Sequence, residues 1–212
     1  MSSREILHGV AKYYSDKLLR HGATPQGVDW RDQASQELRF AQFDRLIADD
    51  LGGRIADFGC GYGEYLAYLR ARNFTGHYFG IDVSAPMVEA AKDRFSNDRR
   101  ATFLVGDTAA ELCDYAVASG IFNVRLNVSI VNWENYIAAT LAKMAAVARK
   151  GFAFNCITNK VDYRRGDLYY GDPDEWSEKF AAMFDVDATL VENYGLYDFT
   201  IVARHKTSQQ EQ

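Results

Sequence analysis

The spacing of hydrophobic residues changes part-way along the chain, at Gly53. Before this point, apolar residues recur at helical intervals, which predicts helices over about residues 6–19 and 35–50. An irregular loop over residues 21–32 separates them. After Gly53, short apolar runs alternate with helical patterns, as in proteins whose strands pair in parallel. Residues 1–50 are therefore expected to form a helical cap ahead of an α/β core.

The core pattern predicts seven strands with helices between them. The first five strands are the apolar runs RIADF, HYFGID, TFLVGD, DYAVASG and KGFAFNCIT. The helical patterns cover about residues 65–70, 85–95, 133–149 and 173–184. Two final apolar runs flank the turn Tyr194-Gly195, close enough to pair as an antiparallel hairpin.

This order of elements predicts a Rossmann-like, doubly wound α/β fold. Strands that alternate with helices give a mostly parallel seven-stranded sheet covered on both faces, and the hairpin adds one antiparallel strand. The chain of 212 residues is near the size at which one domain suffices. We expect a single domain over residues 1–212, with the cap at 1–50, the core at 51–205 and a flexible tail at 206–212.

Composition narrows the range of partners. The net charge is -5 and the Lys and Arg residues are dispersed, which argues against a long nucleic acid. No segment approaches the roughly 18 apolar residues that span a bilayer. The three cysteines, Cys60, Cys113 and Cys156, show no CxxC spacing, so neither disulfides nor zinc are indicated. We expect a cytoplasmic protein that is a monomer or homodimer, without a membrane or nucleic-acid partner.

A glycine-rich turn carries the strongest chemical signal. Asp57 to Gly63 reads DFGCGYG and lies where the first strand meets the first core helix, so Gly59, Gly61 and Gly63 let the backbone approach a ligand closely. Any tight strand-to-helix turn can be glycine-rich, so this motif alone leaves a purely structural alternative open. The ends of the neighbouring strands distinguish a ligand site from a structural turn.

The next two strands end in acidic residues at the same edge of the predicted sheet. Asp82 follows the second strand and is placed to accept hydrogen bonds from ribose hydroxyls, although it also suits a helix N-terminus. Gly106-Asp107 follows the third strand. Open α/β sheets bind ligands at this edge, so a nucleoside-type cofactor is predicted, with Val83 and Thr108 among its contacts.

Glu64, the residue directly after Gly63, favours one cofactor over another. Nicotinamide and flavin enzymes commonly carry G-x-G-x-x-G, and here Glu64 takes the place of the last glycine. Acidic side chains at Asp57 and Glu64 would repel a pyrophosphate but attract a sulfonium and an amino group. The turn therefore favours S-adenosylmethionine.

From Arg54 to the final hairpin the chain resembles the class I S-adenosylmethionine-dependent methyltransferases, and residues 57–63 match their D-x-G-x-G-x-G motif. The resemblance implies that the three glycines border the methionine part of the cofactor. It also implies that Asp82 holds the ribose and that Asp107 meets the adenine amino group. Residues 119–123, including Ser119 and Gly120, would lie beside the transferred methyl group.

The cap looks like the one that some small-molecule methyltransferases place over the cofactor. Gln36 and Arg39 lie three residues apart on one helix face. We expect Arg39 to pair with the cofactor's carboxylate, Gln36 to contact the cofactor and Trp30 to close the pocket. The alternatives are an exposed helix charge and a core tryptophan.

The acceptor is the least determined part of the prediction. Candidate catalytic residues are His21, Tyr14 and Asn123, since amines and hydroxyls must lose a proton. Candidate substrate contacts are Phe122, Arg125, Tyr163, Tyr169 and Tyr170. The sequence SGIF at 119–122 stands where nucleobase and amide methyltransferases often carry Asn/Asp-Pro-Pro-aromatic, which leaves amine, hydroxyl and carboxylate acceptors open.

Three functions are compatible with these residues. The first is methyl transfer to nitrogen or oxygen of a small metabolite, natural product or sugar nucleotide, a choice of acceptor made by analogy. The second is a nicotinamide-dependent oxidoreductase, and the third is a cofactor-binding module without catalysis. No cluster of histidines and carboxylates indicates a metal site, so no metal requirement is expected.

Overall fold

The structure is a computed structural model that describes residues 2–206. The predicted tail at 206–212 lies outside the described residues except for Lys206. Within the described range the chain forms six α-helices and seven strands. The helices are α1 (Ser3–His21), α2 (Gln33–Ile47), α3 (Glu64–Ala71), α4 (Ala85–Arg94), α5 (Ile130–Val147) and α6 (Pro173–Met183). The strands are β1 (Ile55–Phe58), β2 (Tyr78–Asp82), β3 (Ala101–Val105), β4 (Cys113–Ala118), β5 (Ala148–Ile157), β6 (Val186–Val191) and β7 (Asp198–His205).

Helix ends differ from the predicted ones where capping decides the boundary. α5 begins at Ile130, ahead of the predicted 133, because the Ser129 hydroxyl accepts the Asn132 amide and caps the helix. α2 ends at Ile47 rather than near residue 50, since Ala48 adopts a positive φ of 49°. The loop between α1 and α2 also contains a short 3₁₀ turn at Pro25–Val28.

The seven strands form one sheet in the order β3-β2-β1-β4-β5-β7-β6. The pairs β1–β2, β2–β3, β1–β4 and β4–β5 are parallel, whereas β7 runs antiparallel to both β5 and β6. The predicted fold class is therefore confirmed, including the C-terminal hairpin. The strand order reverses between β1 and β4, and open α/β sheets bind their ligands at such a point.

Helices cover both faces of the sheet. One hydrophobic cluster packs α1, α5 and α6 against the sheet, and its largest buried side chains include Trp133 and Trp176. The other cluster packs α2, α3 and α4 and includes Phe43 and Leu66. Because neither face is open, both the β1 and β4 runs are mostly apolar, as in buried parallel strands.

Helix α1 packs against the core. Its Ile6 and Val10 side chains are buried in the cluster that also holds α5. The Ser15 and Ser84 hydroxyls lie 2.9 Å apart, and Lys17 forms a 2.5 Å ion pair with Asp29 in the following loop. The predicted cap is thus fastened across the edge where the parallel strands end. Over residues 2–206, no helix has the length and apolar character to cross a membrane.

Candidate active site

The glycine turn joins β1 to α3 through three left-handed glycines. Gly59, Gly61 and Gly63 have φ values of 77°, 54° and 84°. A β-carbon at Gly59 would also lie 2.0 Å from Cγ2 of Ile121, so no side chain fits there without moving the segment after β4. The turn therefore needs glycine, and it holds the backbone of β1 close to the segment that follows β4.

Asp82 braces this turn from the end of β2. Its carboxylate accepts the amide of Gly61 at 2.9 Å and the amide of Ser84 at 2.8 Å. Burial raises the pKa of Asp82, while these amide bonds act in the opposite direction. Each carboxylate oxygen can accept more than one hydrogen bond, so Asp82 keeps capacity for a ligand hydroxyl.

Asp57 lies at the end of β1 and is almost fully buried, with 2% of its surface exposed. The hydroxyl of Tyr78, on the adjacent strand β2, donates a hydrogen bond to it. Burial raises the pKa of Asp57 to about 7, although the Tyr78 hydroxyl opposes this shift. Asp57 therefore titrates near neutral pH, where the charge of a neighbouring ligand can change its ionisation.

A pocket opens above these residues, and we call it the inner pocket. It encloses about 960 Å³, including the part open to solvent, and lies at the carboxyl ends of β1, β2 and β4. The predicted cofactor residues that line it are Trp30, Gln36, Asp57, Gly59, Gly61, Asp82, Val83, Gly106, Asp107, Ser119 and Gly120. The structure thus brings most of the predicted cofactor set together.

The turn after β4 is positioned by a side chain from the next strand. Asn155 on β5 is fully buried; its Oδ1 accepts the Gly120 amide at 2.8 Å and its Nδ2 donates to the Ser119 hydroxyl at 3.0 Å. Gly120 has a φ of 74°, and the Trp30 ring would lie 2.2 Å from a β-carbon at this position. The cap tryptophan therefore packs directly on the turn, as the prediction that it closes the pocket requires.

A second pocket, here called the outer pocket, lies beside the first. It is bounded by the cap loop, the segment after β5 and the start of β7. The predicted residues that line it are Tyr14, Trp30, Arg39, Gly120, Asn123, Tyr163 and Tyr170. Tyr14, Val28, Trp30 and Gly120 line both pockets, so the two spaces share one wall.

Comparisons with known proteins identify the family. A family model described as a methyltransferase domain matches residues 55–151. A Mycobacterium tuberculosis (strain ATCC 25618 / H37Rv) protein, Rv1506c, whose name assigns it as a methyltransferase, is 45% identical over 152 residues. That alignment covers 71% of this chain and 92% of the relative. The chain belongs to the class I S-adenosylmethionine-dependent methyltransferases.

Two further matches agree with the family of this methyltransferase. The ribosomal RNA small subunit methyltransferase C of Photobacterium profundum is 33% identical over 92 residues, covering 42% of this chain and 27% of that protein. Among solved structures, the DhpI–SAH complex matches with a TM-score of 0.70 and 15% identity, covering 96% of this chain and 98% of the other. Family membership sets aside the nicotinamide-dependent alternative.

Within this methyltransferase, Arg39 is not where the sequence analysis predicted it. Arg39 lines the outer pocket rather than the inner one, and its guanidinium is engaged by Asp198 at 2.6 Å and by the Ser35 carbonyl at 2.7 Å. It also stacks on Trp30, with 4.0 Å between the guanidinium carbon and the ring centroid. The predicted pairing with the cofactor's carboxylate is revised, because the inner pocket does not include this side chain.

Three predicted substrate contacts have structural partners instead. Phe122 is fully buried against Phe154 and Tyr136 in the core. The Arg125 guanidinium donates to three backbone carbonyls, which explains its place in this loop without a ligand. The Tyr169 hydroxyl accepts the Trp176 indole N–H at 2.8 Å. None of the three lines either pocket, so their substrate role is revised to bracing the loop.

The remaining predicted positions differ in whether they line either of the two pockets. His21 is exposed at the end of α1 and lines neither pocket, which removes the geometric basis for a catalytic role. Gly63 and Thr108 also lie off the pocket walls. Asn123 lines the outer pocket, but its Oδ1 accepts the Ile157 amide at 3.1 Å. Tyr14, on the shared wall, is the catalytic candidate that the geometry favours.

Several pocket residues had no sequence signal of their own. In the inner pocket these include Tyr62, Tyr136 and Thr140, and in the outer pocket Asp29, Asp162, Tyr197 and Asp198. Tyr62 lies inside the glycine motif, so its place in that motif could have indicated it. Asp198 could not be found this way, since it meets Arg39 across 159 positions of sequence.

The described residues contain cysteines without disulfides and metal-binding residue types without a ligand cluster. Cys60, Cys113 and Cys156 are buried and free. Among residues 2–206, no group of three or more His, Cys, Asp or Glu side chains is placed to hold a metal ion.

Proposed function

We propose that this methyltransferase moves the methyl group of S-adenosylmethionine to a nitrogen or oxygen atom of a small molecule held in the outer pocket. The observation that carries the proposal is the wall shared by the two pockets, made by Tyr14, Val28, Trp30 and Gly120. Methyl transfer requires donor and acceptor to approach in line at close range. A cofactor in the inner pocket and an acceptor in the outer pocket would meet at this wall.

The inner pocket offers groups that fit the cofactor. S-adenosylmethionine supplies a methyl group activated by a sulfonium cation. Asp82 would accept hydrogen bonds from the ribose hydroxyls, and Asp107 would face the adenine amino group. The Gln36 side chain is 4% exposed and its Oε1 has no hydrogen-bond partner within residues 2–206. That oxygen suits the amino group of the cofactor, since a buried acceptor left unpaired is costly.

Tyr14 would orient the acceptor rather than remove its proton. Burial raises the pKa of Tyr14 well above its usual value of 10, so its hydroxyl stays protonated at neutral pH. A neutral phenol can donate one hydrogen bond and accept another. On the shared wall such a group would align the acceptor atom without acting as a base.

The proposed acceptor class follows from the charge of the chain and from the way the cap is held. We propose a metabolite, natural product or sugar nucleotide rather than a nucleic acid, because the chain's basic residues are dispersed and its net charge is -5. The cap is tied down over the strand ends by the Lys17–Asp29 and Ser15–Ser84 contacts, which favours a small ligand. Three free, buried cysteines fit the reducing cytoplasm in which we place the reaction.

Isothermal titration with S-adenosylhomocysteine, NADH and NADPH tests the proposed cofactor site. We expect binding of S-adenosylhomocysteine alone. Asp82→Ala is expected to weaken that binding by about 1–3 kcal/mol, since it removes acceptors for the ribose hydroxyls. Asp82→Asn, which keeps one carbonyl oxygen, should weaken it less.

The matched control for this titration is Asp93→Ala, because Asp93 is exposed on α4 and lines neither pocket. The control should bind like the unaltered protein. Equal affinity in the folded Asp82→Ala variant would contradict the ribose assignment. Tight binding without turnover on any acceptor would favour the non-catalytic module.

Tyr14→Phe is expected to lower kcat/KM about tenfold, the cost of one hydrogen bond to the acceptor. The pH dependence of kcat should keep its shape, because a neutral hydroxyl contributes no titration in the working range. Steady-state kinetics with labelled S-adenosylmethionine across pH would measure both. If kcat of the unaltered protein rises with pH and this rise is lost in the variant, Tyr14 acts as the base after all.

A further inference from the structure

The outer pocket holds buried polar atoms that the described part of the chain leaves without partners. Arg39 is 8% exposed and Asp198 is 3% exposed, and both line this pocket. Their ion pair uses one nitrogen and one oxygen, which leaves Arg39 Nε and Asp198 Oδ1 without a hydrogen bond in residues 2–206. Asp29 Oδ2, also in this wall, is unpaired in the same way. The residues of this wall thus contain one donor and two acceptors that have no partner among residues 2–206.

Buried polar atoms are rarely left unsatisfied, because each one loses its hydrogen bonds to water without a replacement. A cluster of buried polar atoms without hydrogen-bond partners needs an explanation in a native structure. A bound ligand that both donates and accepts hydrogen bonds would provide one. A hydroxyl group does both, and neighbouring hydroxyls on one ring could serve the Arg39 donor and the Asp198 acceptor together.

The charges around the pocket disfavour an anionic ligand. Asp29 is paired with Lys17 at 2.5 Å, Arg39 with Asp198 at 2.6 Å and Arg165 with Asp167 at 2.6 Å. An anionic acceptor would need an uncompensated arginine, and Arg31, Arg39 and Arg165 are each paired with a carboxylate. Asp162 also lines the pocket and has no ion-pair partner in residues 2–206; its carboxylate accepts the Tyr197 hydroxyl at 3.1 Å and can accept ligand hydroxyls as well.

Aromatic rings at the pocket provide flat surfaces. Tyr163 is 76% exposed and Tyr197 is 59% exposed, and both line the outer pocket with the half-buried Trp30. Such rings present an apolar face together with a polar edge. A ring that has C–H groups on its faces and hydroxyls on its rim matches this combination.

We infer that the outer pocket binds a polyhydroxylated sugar ring, with Asp29, Arg39 and Asp198 recognising its hydroxyls. The inference rests on the proposed function and narrows its acceptor class. It makes Asp29 a specificity-determining residue in the loop that closes over the cofactor. Its side chain can be altered with little backbone strain, because Asn tolerates the left-handed φ of 62° found there.

The first experiment measures methyl transfer and binding with four kinds of acceptor. Protein saturated with S-adenosylhomocysteine is titrated with methyl glycosides of glucose, mannose, galactose, rhamnose and fucose, and with histamine, benzoate and catechol. The same compounds are tested for transfer from labelled S-adenosylmethionine. We expect binding or methylation of at least one glycoside and a preference of at least tenfold over the other three classes.

The outcomes separate the two proposals. Failure to bind S-adenosylhomocysteine would overturn the proposed function itself. Binding of S-adenosylhomocysteine with transfer to histamine, benzoate or catechol, and no glycoside bound or methylated, would overturn only the sugar inference. Binding of S-adenosylhomocysteine with no glycoside bound or methylated would overturn the sugar inference even if no other acceptor is found.

The second experiment tests the residue assignment. Asp29→Asn should raise the KM or Kd of the preferred glycoside at least tenfold and leave the affinity for S-adenosylhomocysteine unchanged. Asp16→Asn, on the exposed side of α1, is the matched control and should change neither value. Unchanged glycoside affinity in Asp29→Asn would overturn the role of Asp29. Equal loss of both ligands would point to a collapsed cap and likewise overturn it.

Discussion

Asp198→Ala is expected to lower the free energy of unfolding by about 3–5 kcal/mol, the cost of leaving one partner of a buried ion pair uncompensated. Its carboxylate lies 2.6 Å from the Arg39 guanidinium, and the two side chains are 2% and 10% exposed. Without Asp198 the guanidinium would keep only the Ser35 carbonyl as an acceptor. Urea unfolding, followed by circular dichroism, measures the loss.

Two comparison variants make this result interpretable. Asp16→Ala breaks the exposed Lys12–Asp16 pair on α1 and should leave stability unchanged within error, as most surface pairs do. Arg39→Leu combined with Asp198→Leu removes both charges and should recover much of the lost stability, because no buried charge is then unpaired. If Asp198→Ala unfolds at the same urea concentration as Asp16→Ala, the pair does not hold the cap to the sheet.

The Arg39–Asp198 pair also explains where prediction from sequence failed. Arg39 lies three residues after Gln36, on the same face of the helix, and Gln36 does line the inner pocket. The direction of Arg39 is decided by Asp198, which β7 brings from the other end of the chain. No local pattern encodes such a contact, so a long, flexible side chain was assigned to the wrong pocket.

Residues held by the local backbone lie together at the wall of the inner pocket, where the sequence pattern placed them. Asp57, Gly59, Gly61 and Asp82 follow apolar runs whose lengths define strand ends, and parallel strands bring those ends to one edge. In the segment after β4, strand ends no longer determine which side chains face the pocket. Ser119 and Gly120 line the inner pocket, but Phe122, two residues later, turns into the core.

The aromatic residues of the loop after β5 divide for a similar reason. Tyr163 and Tyr170 line the outer pocket, whereas Tyr169 is held by the indole of Trp176 from α6. The sequence analysis named all three tyrosines as candidate substrate contacts. Only the tertiary packing decides which ring is structural, because neighbouring positions in an irregular loop have no fixed period.

The affinity for S-adenosylhomocysteine is expected to fall at acidic pH because of Asp57. Burial raises the pKa of this carboxyl to about 7 in the ligand-free protein. The ligand's ammonium group favours the ionised carboxylate, so binding lowers this pKa and releases a proton near neutral pH. If only the ionised form binds tightly, affinity falls about tenfold for each pH unit below 7.

The same residue has the opposite effect on the stability of the ligand-free protein. Because the folded pKa of Asp57 is raised, its contribution is fully present below the carboxyl's usual value of 3.8 and is lost as the pH rises through about 7. Ligand binding and folding should therefore respond to pH with opposite signs. Asp57→Asn should remove both dependences, since the amide does not titrate.

Titration calorimetry in buffers of different ionisation enthalpy would detect the released proton directly. Tyr78→Phe offers an independent check, because the Tyr78 hydroxyl donates to Asp57 and holds its pKa down. In that variant the midpoint of the affinity profile should move to higher pH. An unaltered protein whose affinity stays constant from well below to well above pH 7 would show that Asp57 keeps one ionisation state. The cofactor's ammonium group would then depend on Gln36 alone, whose Oε1 is unpaired among the described residues and which lines the inner pocket.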